Sequence, residues 1–288
     1  MYAYHQAYLS GEYTIQFGFL EFALAQIFTL LSLFDIKNIS IFNITMVILE
    51  VLALFFLLVK DKHKFLIFLT TICAAPFIIN SGLFIRQLFS SIIIIYGILY
   101  LKNNYYFLLA TFFHNTSIIY YFINKFSKFS FFNKNYFLIF IIFILAYVFQ
   151  PFDLKFFLNV FSYFRYDKAY IWENNVFDIN RLTFTSFLMP YFFIFYVFFK
   201  KRQNAIFSFL IVLIIIIFLF GSIPFLASRL GLIPIIFSPY LLYSTSKSNK
   251  VDRLDYLLLL TYFFYTTSVF IYKDDNFFYS IFKGIYLL

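Results

Sequence analysis

The chain has 288 residues, of which 63% are hydrophobic and only 12% carry a charge. A soluble domain carries about 25% charged residues, so the composition excludes an ordinary soluble fold. Disorder is excluded by the 50 phenylalanines and 25 tyrosines, and an internal disulfide by the presence of a single cysteine. An integral membrane protein is the class that remains.

The apolar residues occur in runs long enough to cross a bilayer. A crossing helix needs about 20 mainly apolar residues. Runs such as Leu210–Phe220 show no alternation of apolar and polar residues, which indicates helices. We therefore predict an all-α, polytopic transmembrane bundle of about 9–10 membrane segments that forms one domain over 1–288. The predicted spans are 14–34, 39–59, 65–79, 84–101, 105–123, 136–150, 181–199, 205–226, 229–246 and 254–272.

Basic residues in the short loops predict the orientation, because such loops resist translocation. Of the 22 basic residues, 13 lie in five clusters, at 60–64, 102, 125–134, 200–202 and 247–253. We place these clusters and the N-terminus in the cytoplasm, and the long segment 151–180 outside. The lysines form clumps and no continuous basic face, which argues against nucleic acid as a partner despite the formal charge of +9.

The orientation contains one conflict, around the segment 105–123. Lys102 and the cluster 125–134 are both basic, yet one apolar stretch separates them. A re-entrant hairpin that turns at the polar string His114–Ser117 places both loops on one side, and it predicts a polar cavity at His114, since irregular backbone within a membrane must be enclosed by protein or water. The alternative is that Lys102 is a weak signal and 105–123 crosses once.

Few ionisable residues fall within the predicted spans, and such residues are candidates for function. They are Glu21, Glu50, Arg86, His114, Arg181 and Arg229. Glu21 and Glu50 are interpreted as pairing with neighbouring helices. Each arginine instead opens a span at the outer face, where it either extends to the interface or helps form a basic pocket for an anion. With His114, the three arginines predict a diphosphate site.

The segment 151–180 is the longest extramembrane stretch. It contains Trp172 together with Asp167, Glu173 and Asp178. Aromatic rings beside carboxylates suit sugar binding, and the alternative is an interfacial aromatic belt with ordinary loop charges.

The sequence contains no nucleotide-binding, hydrolase or metal-binding motif, so we expect no cofactor and no metal.

Several short motifs occur in the order seen in one known family. Arg86 and Gln87 open a helix, Phe113, His114 and Ser117 follow after a basic loop, and Arg229 leads a late helix. Together with Gln16–Phe19, this order resembles the EpsG/Wzy-like polysaccharide polymerases over residues 8–246. Family members usually begin with a further membrane helix and an Asp-containing, tyrosine-rich loop, so the resemblance implies either a product truncated at its N-terminus or a misassigned start codon.

The resemblance implies a multi-pass enzyme of the bacterial inner membrane, of the GT-C-like glycosyltransferase class. Its reaction joins undecaprenyl-diphosphate-linked oligosaccharide repeat units into capsule, exopolysaccharide or O-antigen chains. The expected partners are the lipid-linked donor and acceptor, the bilayer and a chain-length regulator protein.

The residues of this chain are assigned roles in that reaction. We expect Arg86, Arg181 and Arg229 to bind the diphosphate, and His114 to act as general base or as a second phosphate contact. Gln87 would orient sugar or phosphate, and Trp172 would bind sugar. Asp167, Glu173 and Asp178 are reserve candidates for the base.

Three other functions share some of these features. A transporter of lipid-linked oligosaccharide is the main alternative, although it should show two related halves and a path of ionisable residues at mid-membrane, and neither is visible in the sequence. An O-antigen ligase or membrane acyltransferase would use the same pocket with another acceptor. A scaffold of a synthase complex would have no chemistry of its own.

Overall fold

The computed structural model describes residues 2–11, 22–59, 62–74, 76–78, 85–101, 104–115, 117–128, 138, 141, 145, 184–200, 205–219, 224–244 and 253–273. In these ranges the elements are helices, without a strand. They are α1 (Tyr2–Ser10), α2 (Phe22–Ser32), α3 (Ile39–Leu58), α4 (Lys62–Cys73), α5 (Ile85–Tyr100), α6 (Tyr105–Thr111), α7 (Ser117–Ser127), α8 (Phe184–Phe199), α9 (Ala205–Leu219), α10 (Pro224–Phe237), a 3₁₀ helix (Ser238–Ser244) and α11 (Arg253–Lys273). The all-α prediction is confirmed for this part of the chain.

Helix α3 shows how the sequence fixes one of these elements. Asn38 precedes it in an extended conformation, and its side-chain oxygen accepts hydrogen bonds from the backbone N–H groups of Ser40, at 2.7 Å, and Ile41, at 3.3 Å. This is the geometry of an N-cap. Among the described residues, α3 is the one helix that is long and apolar enough to cross a membrane, and six shorter helices are also apolar.

The outer surface of α3 is apolar as well. Only 28% of the residues in its most apolar stretch are buried, and Ile41, Ile44, Ile48 and Phe56 are exposed. A soluble protein rarely exposes a continuous apolar face of this kind. The face is suited to contact with lipid.

The chain forms two compact units, the first made of Met1–Phe122 with Leu242–Leu288 and the second of Ile123–Leu241. In the first unit, α3 packs against α1, α4 and α5, and α4 also packs against α11. Tyr8 connects α1 to its neighbours, because its hydroxyl donates to the Leu31 carbonyl and accepts from the Ile36 N–H, both at 3.1 Å. The core around it comprises Ala7, Tyr8, Leu24, Phe28, Leu31, Phe42, Met46, Ile85 and Phe89.

Helix α1 is an element that the predicted spans do not include. No span was predicted there, yet residues 2–10 are helical and His5 is buried, with its ring centroid 5.3 Å from that of Phe42 and 6.2 Å from that of Tyr8. His5 and Tyr8 are three residues apart, so a helix places both on one face. This spacing was the sequence signal for a buried helix.

Helices α6 and α7 form a hairpin, here called the α6–α7 hairpin. The Phe107 and Tyr121 ring centroids are 5.7 Å apart, whereas one straight helix would hold these residues about 21 Å apart. Phe112–Asn115 are not helical. The chain therefore reverses within 105–123, which confirms the predicted reversal and excludes a straight helical crossing.

The hairpin packs against α5 through a close approach at Gly97. A Cβ atom at this position would overlap the Tyr106 ring, near the base of that side chain. Only glycine leaves room for the ring, and the ring in turn fills the space that the missing side chain leaves. Gly97 therefore fixes how closely α6 lies against α5.

We expect Gly97→Ala to destabilise the protein by about 3 kcal/mol, because overpacking a core forces side chains or backbone to shift. The measurement is thermal unfolding of the purified protein in detergent. The control is the same substitution combined with Tyr106→Ala, which removes the overlapping ring and should abolish most of the additional cost. If Gly97→Ala lowered the stability equally with Tyr106 and with Ala at position 106, the close approach of Gly97 to the Tyr106 ring would be contradicted.

In the second unit, α8, α9 and α10 pack against one another. The structure corrects the predicted start of the span at Arg229, because α10 begins at Pro224 and Arg229 lies inside it. Proline is favoured in the first turn of a helix, where its missing N–H needs no partner. Helix α10 ends at Phe237, and the 3₁₀ helix Ser238–Ser244 follows it directly. The predicted span 229–246 therefore begins too late, and it contains a change from α-helix to 3₁₀ helix.

The remaining predicted spans agree to different degrees. Those at 39–59, 84–101 and 254–272 match α3, α5 and α11 closely. The span 14–34 is represented by α2, and residues 12–21, which include Glu21, lie outside the described residues. Of the span 136–150, positions 138, 141 and 145 are helical.

Candidate functional site

Arg86 and Gln87 lie in the first turn of α5. Gln87 is 2% exposed, and Arg86 is half-buried. A cation in the first turn opposes the helix dipole, which favours negative charge at this end. Arg86 therefore adds nothing to the stability of the helix through the dipole, and together with the dipole it creates a positive region suited to an anion.

His114 lies at the tip of the α6–α7 hairpin, between the two helices. Its N–H donates to the Ala110 carbonyl at the end of α6, and its carbonyl accepts from the Ser117 N–H at the start of α7, both at 3.0 Å. The residue is 5% exposed. Both backbone groups of His114 are therefore hydrogen-bonded, although the residue itself is not helical.

Two side-chain contacts connect α5 to the hairpin tip. The Ser90 and Ser117 hydroxyls form a buried hydrogen bond with each other. The Phe89 and Phe113 rings stack with their centroids 5.4 Å apart and an angle of 27° between their planes. These two contacts, here called the α5–tip junction, bring together the two sequence landmarks that carry the family resemblance.

The α5–tip junction lies close to both leading site candidates. Arg86 is four residues before Ser90, which is about one helical turn. His114 is bonded through its carbonyl to the backbone of Ser117. A cationic residue and an imidazole thus lie within about a turn of the same contact.

The start of α2 closes the hairpin tip from another direction. The Ala23 N–H donates to the Phe112 carbonyl at 3.1 Å, and the Phe22 and Phe112 ring centroids are 4.5 Å apart. Non-helical backbone is thereby hydrogen-bonded to a neighbouring element. This enclosure is what irregular backbone at membrane depth requires.

Several predicted site residues are not placed by the structure. Arg181, Trp172, Asp167, Glu173 and Asp178 lie outside the described residues. Arg229 belongs to α10 of the second unit. Among the residues that the structure describes, no three His, Cys, Asp or Glu side chains come together as metal ligands.

Sequence reasoning did not identify Ser90 or Phe89 as site residues. Ser90 lies four positions after Arg86, so a helix places the two on the same face. That spacing was a signal, but a serine within an apolar helix has no feature that distinguishes an inter-helix contact from a bond to its own backbone.

Glu50 is the buried ionisable residue of α3. It is 0% exposed, and neither carboxyl oxygen has a hydrogen-bond partner within the described part of the structure. The predicted pairing with a neighbouring helix is therefore not found. An unsatisfied buried polar group costs about 1–3 kcal/mol.

We expect Glu50→Met to raise the free energy of unfolding by about 1–3 kcal/mol, since it removes the unsatisfied oxygens while keeping a long side chain. Glu50→Gln is the matched control, because it keeps polar atoms at the same place and should give less stabilisation. Thermal unfolding in detergent measures both variants. A loss of stability in Glu50→Met would show that the carboxyl makes a contact that holds the fold.

In the described ranges the structure is all-helical, and the long helix α3 exposes an apolar face, two features that are typical of helical membrane proteins. The family follows from comparison with known proteins: the model of the EpsG family matches residues 2–282, and the chain belongs to this family. No curated protein and no solved structure matches it. Membership gives the chain a membrane polysaccharide polymerase-like role, with glycosyltransferase-like chemistry.

Proposed function

We propose that the chain joins undecaprenyl-diphosphate-linked oligosaccharide repeat units into a capsule, exopolysaccharide or O-antigen chain. We place it in the bacterial inner membrane as a multi-pass enzyme of the GT-C-like class. The observation that carries this proposal is the α5–tip junction, beside which Arg86 and His114 both lie. A guanidinium and an imidazole at one place suit the transfer of a glycan from a diphosphate.

The proposed reaction exchanges one bond at the anomeric carbon of the donor for another and transfers one proton. The acceptor hydroxyl oxygen bonds to the anomeric carbon of the donor glycan, and the bond from that carbon to the diphosphate oxygen breaks. The electron pair leaves with the diphosphate, and the hydroxyl proton passes to His114 as general base. No change of oxidation state occurs, so the reaction needs no redox cofactor.

Arg86 is proposed to stabilise the charge that develops on the departing diphosphate. A guanidinium binds phosphate oxygens with two parallel hydrogen bonds and keeps its charge at physiological pH. Such a group is most effective when it is fixed in a site that excludes water. Gln87, which is buried one residue further along α5, orients sugar or phosphate.

The other predicted contacts complete the proposal. Arg181 and Arg229 contribute to diphosphate binding, and Trp172 binds sugar. Asp167, Glu173 and Asp178 are the alternative bases if His114 only contacts phosphate. A chain-length regulator protein is the proposed protein partner.

The α6–α7 hairpin is proposed to be re-entrant. Helix α6 has 7 residues, which span about 10 Å, whereas the hydrocarbon layer is about 30 Å thick. Leu108, Leu109, Ile118 and Phe122 on its two helices are exposed and apolar, as lipid contact requires. The hairpin would then carry His114 into the membrane beside Arg86 and return to the side from which it came.

The proposal is tested with purified protein in nanodiscs. The donor is the lipid-linked oligosaccharide extracted from cells that lack this gene, in which unpolymerised repeat units should accumulate. We expect a ladder of longer glycans and release of the carrier diphosphate, with empty nanodiscs as the control. Movement of the donor across proteoliposomes without any lengthening would instead support the transporter.

A further inference from the structure

The hydrogen bond between Ser90 and Ser117 differs from those made by the buried hydroxyls of Ser91, Thr71 and Thr266. The hydroxyls of Ser91, Thr71 and Thr266 each donate to the carbonyl oxygen four residues earlier in their own helices. Such bonds satisfy the hydroxyl but connect no separate elements. The Ser90–Ser117 bond joins α5 to the start of α7, across 27 positions of the chain.

A hydrogen bond at this place has an effect that apolar packing does not have. Contacts between apolar side chains are non-directional, so they specify the register of neighbouring helices less strictly than a hydrogen bond does. The two buried hydroxyls lose this bond if they separate, and an unsatisfied buried hydroxyl is costly. The pair therefore fixes the depth of the hairpin tip along α5.

The register of the tip controls the geometry of the proposed site. Arg86 is fixed to Ser90 by one turn of α5, and His114 is fixed to Ser117 by the backbone hydrogen bond of 3.0 Å. The Ser90–Ser117 bond connects these two rigid pieces. A shift of about 1 Å in the reacting groups can reduce the rate of an enzyme by about 100-fold.

We propose that Ser90 is a positioning residue, which acts through Ser117 to hold His114 at a fixed place relative to Arg86. This inference rests on the proposed function. It assigns no contact between the Ser90 hydroxyl and the substrate.

The first test compares Ser90→Ala with Ser91→Ala in the nanodisc assay. We expect Ser90→Ala to lower the rate of chain extension at saturating donor by about 10- to 100-fold while KM for the donor stays unchanged. Ser91→Ala is the matched control, because its buried hydroxyl donates to a backbone carbonyl within α5, and we expect wild-type activity. Ser90→Ala combined with Ser117→Ala should be no worse than either alone, since both remove the same bond.

The second test replaces the hydrogen bond by a covalent one. Ser90→Cys and Ser117→Cys are combined in a Cys73→Ser background, and the protein is assayed reduced and oxidised. Hydroxyls in hydrogen-bond contact place their Cβ atoms near the separation that a disulfide requires. We expect cross-linking, and we expect the oxidised protein to regain activity that the reduced protein lacks.

Each outcome separates the possibilities. Activity of Ser90→Ala equal to that of Ser91→Ala, in a wild-type protein that extends chains, overturns the inference and leaves the proposed function intact. Cross-linking without recovery of activity also overturns it, because the hydroxyl would then act directly. Absence of chain extension by the wild-type protein is instead a failure of the proposed function.

Discussion

Replacing Arg86 with alanine is expected to abolish the formation of long glycan chains while the protein remains folded and inserted. The guanidinium is proposed to stabilise the negative charge that develops on the diphosphate as its bond to the anomeric carbon breaks. Removing one preorganised group of this kind typically lowers kcat by about 100- to 1,000-fold. Arg86 is only half-buried, so the effect on stability should be small by comparison.

The measurement is the length distribution of the glycan, by gel from cells and in the nanodisc assay. Cells with Arg86→Ala should contain single repeat units only. Arg86→Lys keeps the charge but loses the planar pair of donors, so we expect partial activity. Arg253→Ala is the control, because Arg253 is an exposed arginine at the start of α11. A normal ladder from Arg86→Ala would remove this residue from the mechanism.

Replacing His114 with alanine is expected to reduce chain extension more than donor binding. A general base contributes about 100- to 10,000-fold to a rate, and this contribution is lost with the imidazole. Binding of the donor should persist, because the diphosphate contacts are assigned mainly to the arginines. The rate at saturating donor and KM for the donor, measured in nanodiscs, separate the two effects.

Two further variants make the His114 result specific. His114→Gln keeps much of the volume of this buried side chain and its ability to hydrogen-bond, which limits damage to the tip. Asn115→Ala changes the next residue, whose side chain is exposed, and should leave chain extension intact. If His114→Gln lowered the rate and the donor affinity equally, His114 would be a phosphate contact and would not be the general base. Asp167, Glu173 and Asp178 would then be tested in turn as the base.

The length of apolar runs was sufficient to predict several helices. The span at 39–59 matches α3 because one run of apolar residues follows a side chain that caps the helix, Asn38. The position of Arg229 was predicted less well, since the apolar run after it was counted but the helix-starting Pro224 before it was not. Run length gives the extent of an apolar segment, whereas the helix start depends on local backbone chemistry.

The hairpin was predicted from charge and not from hydropathy. The residues 105–123 are apolar enough to suggest a crossing, and only the basic loops on both sides required the chain to return. The hydrogen bond between Ser90 and Ser117 could not have been predicted in this way. Pairing between distant helices depends on their relative register, which neither charge nor periodicity specifies. The sequence therefore predicted the two short motifs of the candidate site, but it did not predict the contact that joins them.

In the proposed re-entrant arrangement, the reversal at 112–115 also changes how the rest of the polypeptide is counted across the bilayer. A hairpin that returns to its side of entry contributes an even number of passages, so it leaves the parity of the topology unchanged. Every later segment then has the orientation opposite to the one obtained when 105–123 is scored as a single traversal. Reporter fusions placed after residue 128 would show on which side of the membrane each later segment lies, and so would measure this parity directly.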